Sequence, residues 1–472
     1  MSAPADDLPA LLARQRAAFF RDGPPSLEAR RADLKKLRAL IVGKRAAIEA
    51  AVNEDFGHRS RHETAAMELM TLTMGIDYLI RRLPGFMRRE RRSVAWPLRL
   101  GRAWVEWQPL GVIGIISPWN YPVSLALMPL ATALAAGNRA VIKPSEITPV
   151  TSALLRSMLS EAFGDEQIAV ALGGVEVGKA FAALPFDHLV FTGSTVVGRA
   201  VMRAAAEDLT PVTLELGGKS PAILVAAAQI AHAAAAIAYG KLANAGQTCI
   251  APDYALVPEH KIDAFVAAYG KAVSALYPEG PTDADFTAIV DDKQFARLNA
   301  LIEDARIKGA RILPLGAKPE TAQDRPRTLA PILVLGADDS MGIMQEEIFG
   351  PILPVIPYHA LDDAIAALNA RPRPLALYVF GPDDSDRAKV LARTASGNVT
   401  INGTLLHYAQ DDLPFGGIGA SGIGAYHGRE GFRALSHGKG VFAPGRWNVG
   451  ALLRAPYGWI ADRVLGFSYA RA

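Results

Sequence analysis

The single cysteine of the sequence is the first residue that suggests chemistry. Cys249 lies in "GKLANAGQTCI" (residues 240–250) and is the only cysteine among 472 residues. A lone cysteine in a cytosolic protein is more often an inert, small apolar side chain than a nucleophile. Here it follows an alanine-rich helix candidate and the turn "NAGQT", whose glycine and polar residues present a side chain to a cavity more readily than they bury one. This context favours a nucleophilic thiol.

Two further residues have side chains that suit a thiol-based reaction. Glu215, in "LELGGKSP", ends an apolar strand and precedes two glycines, where burial raises a carboxyl pKa toward that of a general base. Asn120, in "SPWNYP", lies between two prolines that restrain the backbone, and its amide can donate to a developing oxyanion. Each residue alone also fits a structural role. Together, at strand ends and turns, they predict an active site around Cys249.

Two glycine-rich segments are candidates for phosphate binding. In "GGVEVGKA" (residues 173–180), Ala180 stands where a triphosphate-binding loop needs a hydroxyl, so a glycine-rich turn after a strand is the better explanation. In "FTGSTVVGRAV" (residues 191–201), Gly193 and Gly198 lie at a strand-to-helix turn, but their spacing differs from that of the common dinucleotide motif. The second segment fits either a dinucleotide site or a simple helix start.

The charged turn "VIKPSE" (residues 141–146) is a candidate for ribose binding. Pro144 restrains the backbone between Lys143 and Glu146. Glu146 can accept a hydrogen bond from a ribose 2′-hydroxyl, and Lys143 can donate one to a ribose hydroxyl. A carboxylate at this position repels a 2′-phosphate, so the turn predicts NAD in preference to NADP. The alternative is an ordinary surface ion pair.

Alternating helix-like and strand-like segments must position these residues. The first ninety or so residues have apolar positions at helical spacing. From Arg102, "RAWVEWQPL" alternates like a half-exposed strand, and "GVIGIIS" resembles a strand buried on both faces. Two successive series of helix and strand candidates follow. This pattern predicts two α/β domains, beginning with a doubly wound parallel sheet.

Composition and charge argue against nucleic acid as a partner. Fifty basic and 47 acidic residues leave a formal charge of +3, and half of the residues are hydrophobic. Such a small net charge gives no basis for wrapping nucleic acid. The arginine-rich run from Arg81 to Arg92 can steer an anion or a lipid surface, but charge runs are more often solvated helix ends.

The same sequence predicts a cytoplasmic protein without a transmembrane span. The N-terminus has no cationic start followed by an apolar core, and one cysteine cannot form an internal disulfide. The apolar C-terminal stretch at residues 451–467 is interrupted by Arg454, Asp462 and Arg463. That stretch can lie on a membrane surface, although packing against a neighbouring domain or subunit is the more common role.

Seven motifs give the sequence a resemblance to the NAD(P)-dependent aldehyde dehydrogenases. They occur in that family's order between Ser117 and Gly417 and are "SPWNYP", "IKPSE", "FTGST", "LELGGKSP", "NAGQTC", "QEEIFGP" and "LPFGG". The short N-terminal region and the C-terminal "PFGGIGASGIGAYHGREGF" further resemble class 3 members. Within that subgroup, "FGHRSRHET" and "NARPRPLALYVFG" are similar to the bacterial coniferyl aldehyde dehydrogenase branch.

The resemblance implies roles for the three reactive residues. Cys249 would attack the carbonyl of a small-molecule aldehyde to give a thiohemiacetal, and a thioester would remain after hydride transfer to the nicotinamide. The amide of Asn120 and the backbone N–H of Cys249 would form the oxyanion hole. Glu215 would activate the water that hydrolyses the thioester. No metal ion is implied.

The resemblance also implies a site for NAD, with NADP as the alternative. Glu347, in "QEEIFGP", would hold the nicotinamide ribose, and Phe349 would pack against the cofactor. Gly193 would have to be small so that the backbone can approach the cofactor. The residues expected to bind the cofactor are Trp119, Lys143, Ser145, Glu146, Gly193, Ser194, Gly198, Glu347 and Phe349.

The aldehyde dehydrogenase fold would divide the chain into three parts. Residues 1–93 and 110–214 would form a Rossmann-like NAD-binding domain, and residues 215–405 an α/β catalytic domain. Residues 94–109 and 406–472 would form a small β bridging and oligomerisation element. "GRAWVEWQPL" would supply one arm of its hairpin, and Val399–Leu406 the strand that returns to it. A homodimer is expected, with a tetramer as the alternative.

Three other functions compete with this interpretation. A CoA-acylating dehydrogenase would pass the acyl group to CoA and would not need Glu215. A cofactor-free thiol hydrolase would leave the dinucleotide-type turns unexplained. A structural protein that borrowed the fold would not need Cys249, Glu215 and Asn120.

The substrate is less well defined than the reaction. The branch resemblance favours coniferyl aldehyde or a related phenylpropenal, with a medium- or long-chain aliphatic aldehyde as the alternative. Rings near the motifs can line a substrate tunnel, although buried packing explains each equally well. These candidates are Trp119, Tyr121, Phe349, His407, Tyr408 and Phe415.

Overall fold

The computed structural model of the protein describes residues 7–316, 325–446, 450 and 453–469. Its α-helices are α1 (Leu8–Asp22), α2 (Leu27–Gly43), α3 (Arg45–Phe56), α4 (Arg61–Glu63), α5 (Thr71–Phe86), α6 (Ser124–Ala136), α7 (Pro149–Ala162), α8 (Val175–Ala182), α9 (Thr195–Ala206), α10 (Ile230–Leu242), α11 (Ile262–Leu276), α12 (Asp292–Ile307), α13 (Gly342–Gln345), α14 (Leu361–Asn369), α15 (Ser385–Arg393), α16 (Gly428–Ala434) and α17 (Trp459–Tyr469). A π-helical segment, Thr64–Met70, joins α4 to α5. Helices α1 to α5 confirm the helical N-terminal region.

The strands of the described residues form three sheets. They are β1 (Glu90–Arg92), β2 (Arg102–Pro109), β3 (Val112–Ile116), β4 (Arg139–Lys143), β5 (Ile168–Val170), β6 (His188–Gly193), β7 (Val212–Leu216), β8 (Pro221–Leu224), β9 (Tyr254–Pro258), β10 (Arg311–Pro314), β11 (Ile332–Leu335), β12 (Ile352–Tyr358), β13 (Ala376–Phe380), β14 (Asn398–Ile401), β15 (Gly422–Ile423) and β16 (Ser436–Ala443). Short 3₁₀ turns lie at Trp96–Leu98, Ala243–Gly246, Glu259–Lys261 and Gly280–Thr282.

A six-stranded sheet has the order β15-β7-β6-β3-β4-β5, and only β15 is antiparallel to its neighbour. Its central strand β3 is almost wholly buried because helices cover both faces of the sheet. One face packs against α6, whose residues are all buried. The other face packs in a separate core that includes Leu11 of α1, Phe181 of α8 and Val201 of α9. The predicted parallel α/β sheet is confirmed.

A seven-stranded sheet has the order β10-β11-β12-β9-β8-β13-β14, and only β10 is antiparallel. Strands β8, β9 and β13 consist entirely of buried residues, which is why their sequences are continuous apolar runs. The large core of this sheet is continuous with the core on the α6 face of the first sheet. The second predicted α/β unit is therefore present as well.

The third sheet is antiparallel and contains β1, β2 and β16. Strand β2 matches the predicted hairpin arm, but the strand that returns to it is Ser436–Ala443, which pairs with β2 along its whole length. The prediction for Val399–Leu406 was wrong, because β14 instead pairs in parallel with β13 at the edge of the seven-stranded sheet. Strand β16 contains two glycines and is mostly exposed, so it has little apolar alternation to reveal it.

The domain boundaries remain a prediction. Some of them divide a strand or separate strands that pair with each other. The boundary at residues 214 and 215 lies within β7. Strand β1, placed in the first part, pairs with β2. Strand β15, placed in the third part, pairs with β7 of the six-stranded sheet.

Candidate active site

A cavity of about 600 Å³ brings together residues from both large sheets. It lies beyond the carboxyl ends of β3, β6 and β7, where open α/β sheets bind their ligands. Eight of the predicted site residues line it: Trp119, Asn120, Gly193, Ser194, Glu215, Cys249, Glu347 and Phe349. Folding therefore gathers segments that are separated by more than two hundred residues.

Cys249 reaches the cavity at the end of a tight segment, residues 243–249, which we call the thiol loop. Asn244 and Ala245 both have left-handed backbone conformations, with φ of 52° and 50°. At Gly246, φ is 77° and an added Cβ would lie 2.3 Å from the carbonyl oxygen of Gly350, so only glycine fits. The turn leaves the Cys249 side chain half-buried at the cavity wall, as the sequence context predicted.

The environment of Cys249 keeps its thiol protonated. Burial is the main cause that raises the pKa of Cys249 to about 12, and the carboxylates of Glu347 and Glu215 raise it further. Each of these effects disfavours a negative charge on sulfur. The resting thiol is therefore neutral, and loss of its proton belongs to the reaction.

Glu215 is a buried carboxyl group without a hydrogen-bond partner. It lies on β7 with only 3% of its surface exposed, and both carboxyl oxygens lack a partner among the described residues. Burial alone raises the pKa of Glu215 well above its ordinary value. A buried carboxyl group without a partner is stabilised by a proton or by a water molecule that enters the cavity. Glu215 therefore suits a general acid–base role.

Asn120 is held by hydrogen bonds at both its side chain and its main chain. Its Nδ2 donates to the carbonyl oxygen of Gln247 at 3.1 Å. Its own carbonyl oxygen accepts from Nη1 of Arg59 at 2.8 Å and from Nδ2 of Asn244 at 3.0 Å. An amide nitrogen carries two protons, so one donor of Asn120 remains for a ligand in the cavity.

Glu347 faces the same cavity from the segment before β12. Burial, followed by the negative charge of Asp253, raises the pKa of Glu347 to about 8, while a hydrogen bond from the backbone N–H of Gly218 opposes this shift. A Cβ at Gly217 would lie 1.9 Å from Oε2 of Glu347. Gly217 therefore leaves room for this carboxyl group.

Charged side chains hold the segment around Glu347 in place. Nζ of Lys219 pairs with Asp253 and donates to the carbonyl oxygen of Glu346 at 2.9 Å. Arg297 donates to the carbonyl oxygens of Glu347 at 3.3 Å and Ile348 at 2.7 Å. These contacts orient Glu347 toward the cavity.

Phe349 and Trp119 form an aromatic wall beside the thiol. Phe349 has a φ of 52°, an unusual conformation for a bulky residue. Its ring meets that of Trp119 edge to face, with ring centroids 5.4 Å apart. The pair presents an apolar surface that a flat ring system can contact.

Four predicted cofactor residues lie outside the lining of this cavity. Nζ of Lys143 lies 2.6 Å from Oε2 of the half-exposed Glu146, and Ser145 Oγ accepts from the backbone N–H of Ile147. At Gly198, an added Cβ would lie 2.5 Å from a methyl group of Leu216, so this glycine allows α9 to pack closely on β7.

The structure shows a second reason for glycine at position 193, besides the predicted approach to the cofactor. Gly193 lines the cavity, but an added Cβ would lie 2.7 Å from the ring of Phe191. Packing within the protein is therefore sufficient to require a small residue there. Ser194 is the N-cap of α9, and its Oγ accepts from the backbone N–H of Val197 at 3.4 Å.

A group of cationic side chains at the cavity was not predicted. It consists of Arg199, Lys219, Arg297, Arg371 and Arg373. Lys219 belongs to the motif "LELGGKSP" and could have been singled out there. Arg199 lies in α9, Arg297 in α12, and Arg371 and Arg373 in the turn before β13, and the sequence analysis assigned none of these side chains to the site.

A second aromatic cluster contains the predicted rings His407, Tyr408 and Phe415 together with Tyr426 and His427. His427 stacks on Phe415 with centroids 5.1 Å apart, and its ring meets Tyr408 at 5.0 Å. His407 stacks on Phe415 at 6.0 Å. Burial lowers the pKa of His427 to about 3, with His407 contributing, and burial lowers the pKa of His407 to about 4. Both imidazoles are therefore neutral.

The aldehyde dehydrogenase family model matches residues 2–441 of the chain. The chain belongs to the aldehyde dehydrogenase family. Membership makes the protein an oxidoreductase that acts on aldehydes, so the cavity with Cys249 is the candidate active site of an aldehyde dehydrogenase.

Curated relatives cover nearly the whole chain. A probable coniferyl aldehyde dehydrogenase of Pseudomonas aeruginosa is 50% identical over 453 residues, which is 96% of this chain and 94% of the relative. The coniferyl aldehyde dehydrogenase of a Pseudomonas species is 44% identical over 458 residues, again 96% of this chain and 94% of the relative.

Solved aldehyde dehydrogenases share the fold. The substrate-bound state of Staphylococcus aureus AldH superposes with a TM-score of 0.91 at 36% identity, covering 97% of this chain and 98% of that one. A Mycobacterium tuberculosis aldehyde dehydrogenase in complex with NAD⁺ gives a TM-score of 0.85 at 32% identity, covering 94% and 92%. The predicted aldehyde dehydrogenase fold is confirmed.

The described residues include neither a membrane-spanning helix nor a cluster of metal ligands. None of the described helices has both the length and the apolar character that crossing a bilayer requires. Within the same residues, no group of three or more His, Cys, Asp or Glu side chains is arranged to hold a metal ion.

Proposed function

We propose that this aldehyde dehydrogenase oxidises an aryl aldehyde of the coniferyl type to its carboxylic acid with NAD⁺. The observation that carries the proposal is the convergence of Cys249, Asn120 and Glu215 in one cavity. A thiol, an amide donor and an unpartnered buried carboxyl group are the parts that acyl transfer through sulfur needs.

Each of these residues has one task. The thiol of Cys249 gives up its proton to solvent, and the thiolate adds to the aldehyde carbon. The electron pair of the C=O π bond moves to oxygen, where the Asn120 amide and the Cys249 N–H donate hydrogen bonds. When bound, NAD⁺ accepts the hydride that leaves this carbon. Glu215 then takes a proton from a water molecule whose oxygen attacks the resulting thioester. The S–C bond breaks, and the carboxylic acid leaves.

Features of the cavity are consistent with a dinucleotide. The N-terminus of α9 opens onto it through Ser194, Thr195 and Val196, and free N–H groups at a helix start favour a pyrophosphate. Arg199 adds a positive charge beside them. Glu347 would hold the nicotinamide ribose, and Phe349 and Trp119 would contact the cofactor.

The Lys143–Glu146 pair would hold the adenosine ribose and favour NAD over NADP. Partial burial raises the pKa of Glu146, but the hydrogen bond from Lys143, a hydrogen bond from the backbone N–H of Glu146 and the charge of Lys143 together outweigh it, so the pKa lies below its ordinary value. A carboxylate that stays ionised repels a 2′-phosphate. Ser145 would stabilise this turn, while Gly198 would act only through the packing of α9.

The coniferyl-type substrate is supported by the relatives and by the second aromatic cluster. The ring of His407 lies 6.0 Å from that of Tyr378, whose hydroxyl donates to the carbonyl oxygen of Ile250, the residue after Cys249. Aromatic walls near the reacting sulfur suit a conjugated aryl aldehyde better than a flexible alkyl chain.

The test is the formation of reduced nicotinamide, followed by its absorbance, with coniferyl aldehyde and hexanal as substrates. We expect coniferyl aldehyde to have the higher kcat/KM. A preference for hexanal of about tenfold, equivalent to about 1.4 kcal/mol, would overturn the aryl assignment. Turnover that requires CoA would contradict hydrolysis by water, and formation of reduced nicotinamide with an aldehyde would exclude a cofactor-free thiol hydrolase.

We also propose a homodimer in the cytoplasm. Strands β14 and β16 are outer strands of their sheets among the described residues, and β16 is mostly exposed. An open edge of this kind pairs readily with a second chain. A reactive thiol such as Cys249 is kept reduced in the cytoplasm. Light scattering at several protein concentrations would distinguish a dimer from a monomer or tetramer.

A further inference from the structure

The segment Arg59–Glu68 lies against the active site, although it contains none of the proposed catalytic residues. It begins in "FGHRSRHET" and continues into the π-helical segment. Arg59 and Glu63 are four residues apart, and Glu63 and Glu68 are five apart, the interval at which a π-helix repeats its hydrogen bonds. The π-helical geometry thus directs both carboxylates toward the same neighbourhood, and their contacts confirm this.

Glu63 holds the start of the thiol loop. Its Oε1 accepts from the backbone N–H of Asn244 at 2.9 Å. Its Oε2 accepts from the hydroxyl of Thr287 at 2.5 Å, which fixes the carboxylate in orientation. The contact with Asn244 joins residues 181 positions apart in the chain.

The backbone that Glu63 holds is strained. Asn244 and Ala245 are consecutive non-glycine residues with left-handed φ values. Each such residue persists only where its surroundings over-determine it. The side chain of Asn244 then donates to the carbonyl oxygen of Gln247 at 3.0 Å, and that carbonyl also accepts from Asn120. The position of the thiol loop therefore determines how the side chains of Asn120 and Cys249 are placed relative to each other.

Arg59 and Glu68 support the opposite side of the same arrangement. Both side chains are completely buried, with 3.5 Å between Nη1 of Arg59 and Oε1 of Glu68. Arg59 donates to the carbonyl oxygen of Asn120, and Glu68 accepts from the backbone N–H groups of Val123 and Ser124. One N-terminal segment thus contacts both walls of the candidate oxyanion hole.

We propose that Glu63 is a positioning residue for Cys249. The hydrogen bond that it accepts from Asn244 holds the strained thiol loop in place. Together with the hydrogen bond from Arg59 to Asn120, this contact sets the distance between the sulfur of Cys249 and the amide donor of Asn120. This inference rests on the proposed role of Cys249. Glu63 is not one of the residues that line the cavity, and its contact with Asn244 is with the thiol loop, so it acts through the loop.

Variants of Glu63 test this proposal. Glu63→Ala leaves the N–H of Asn244 without its acceptor, and we expect kcat to fall about tenfold or more while the aldehyde KM changes less than about twofold. Glu63→Gln keeps one acceptor oxygen, and we expect its kcat to stay within about threefold of the wild type. Leu11→Ala, in the separate core beside α1, is the control for lost stability without a loop contact.

Alkylation of the thiol gives a second readout that needs no turnover. Because Cys249 is the only cysteine, the mass increase after iodoacetamide treatment measures this residue alone. We expect faster alkylation in Glu63→Ala, because the loop opens, and the wild-type rate in Glu63→Gln and Leu11→Ala. Wild-type kcat and wild-type alkylation in a folded Glu63→Ala would overturn this inference. A wild-type protein that oxidises no aldehyde would instead overturn the proposed function.

Discussion

The Nδ2 atom of Asn120 lies 3.1 Å from the carbonyl oxygen of Gln247, two residues before Cys249. This bond links the segment that follows β3 to the thiol loop that follows α10. It uses one amide proton and orients the other. The candidate oxyanion donor is therefore fixed relative to the sulfur before any substrate arrives, and preorganisation of this kind is what makes such donors effective.

Replacement of that donor should slow the chemistry rather than weaken binding. For Asn120→Ala we expect kcat to fall by about 10²–10³-fold, the usual effect of removing one oxyanion donor. The affinity for NAD⁺, measured by calorimetry, should stay the same. A kcat within about threefold of the wild type would remove Asn120 from the oxyanion hole.

Replacement of the nucleophile should abolish oxidation. For Cys249→Ser we expect no reduced nicotinamide with any aldehyde, because a serine hydroxyl ionises far less readily than a thiol and is a far weaker nucleophile than a thiolate. The binding of NAD⁺ should be nearly unchanged. Retained turnover in this variant would contradict covalent catalysis at Cys249.

Replacement of the buried carboxyl should stop the reaction at the thioester. Glu215→Gln keeps the size of the side chain but cannot take a proton from water. In rapid-mixing experiments we expect one burst of reduced nicotinamide equal to the number of sites, and intact-mass analysis should find an acylated Cys249. Steady turnover without a burst would assign the deacylating base to another residue.

The reactivity of the thiol should depend steeply on pH. Because the pKa of Cys249 is raised to about 12, first by burial and then by Glu347 and Glu215, the thiolate fraction keeps growing well above the ordinary pKa of a thiol. Alkylation by iodoacetamide should therefore rise about tenfold per pH unit between pH 7 and 10, without a plateau. Above about pH 8, where Glu347 is ionised, Glu347→Gln removes a negative charge, so alkylation of this variant should be faster than that of the wild type in that range. A plateau below pH 9 in the wild type would contradict this environment.

Discrimination between the two dinucleotides should depend on Glu146. In Glu146→Ala the carboxylate paired with Lys143 at 2.6 Å is lost, and we expect the preference for NAD over NADP to decrease. Glu303→Ala removes a similar i,i+3 ion pair on α12, far along the helix from the cavity, and serves as the control. Equal effects of the two substitutions on the kcat/KM ratio would rule out a ribose role for Glu146.

Local patterns made much of the fold predictable. Strand β3 is a short, β-branched apolar run, and helices α1 to α5 follow apolar positions at helical spacing; both formed where the sequence indicated. Strand β16 escaped prediction because it is short of apolar residues and depends on β2 as its partner. Pairing between residues some 330 positions apart leaves no local trace.

The sequence by itself determined which residue types this protein brings to its reaction: one thiol, a carboxyl at a strand end and an amide between prolines, in the motif order of the aldehyde dehydrogenases. Only the tertiary structure decided how they meet. Tertiary packing brings together the arginines of the cavity, stacks His427 on Phe415 and forms the hydrogen bond between Glu63 and the thiol loop. Such contacts arise from the packing of whole elements, because hydrogen bonds and desolvation depend on three-dimensional neighbours and not on spacing along the chain.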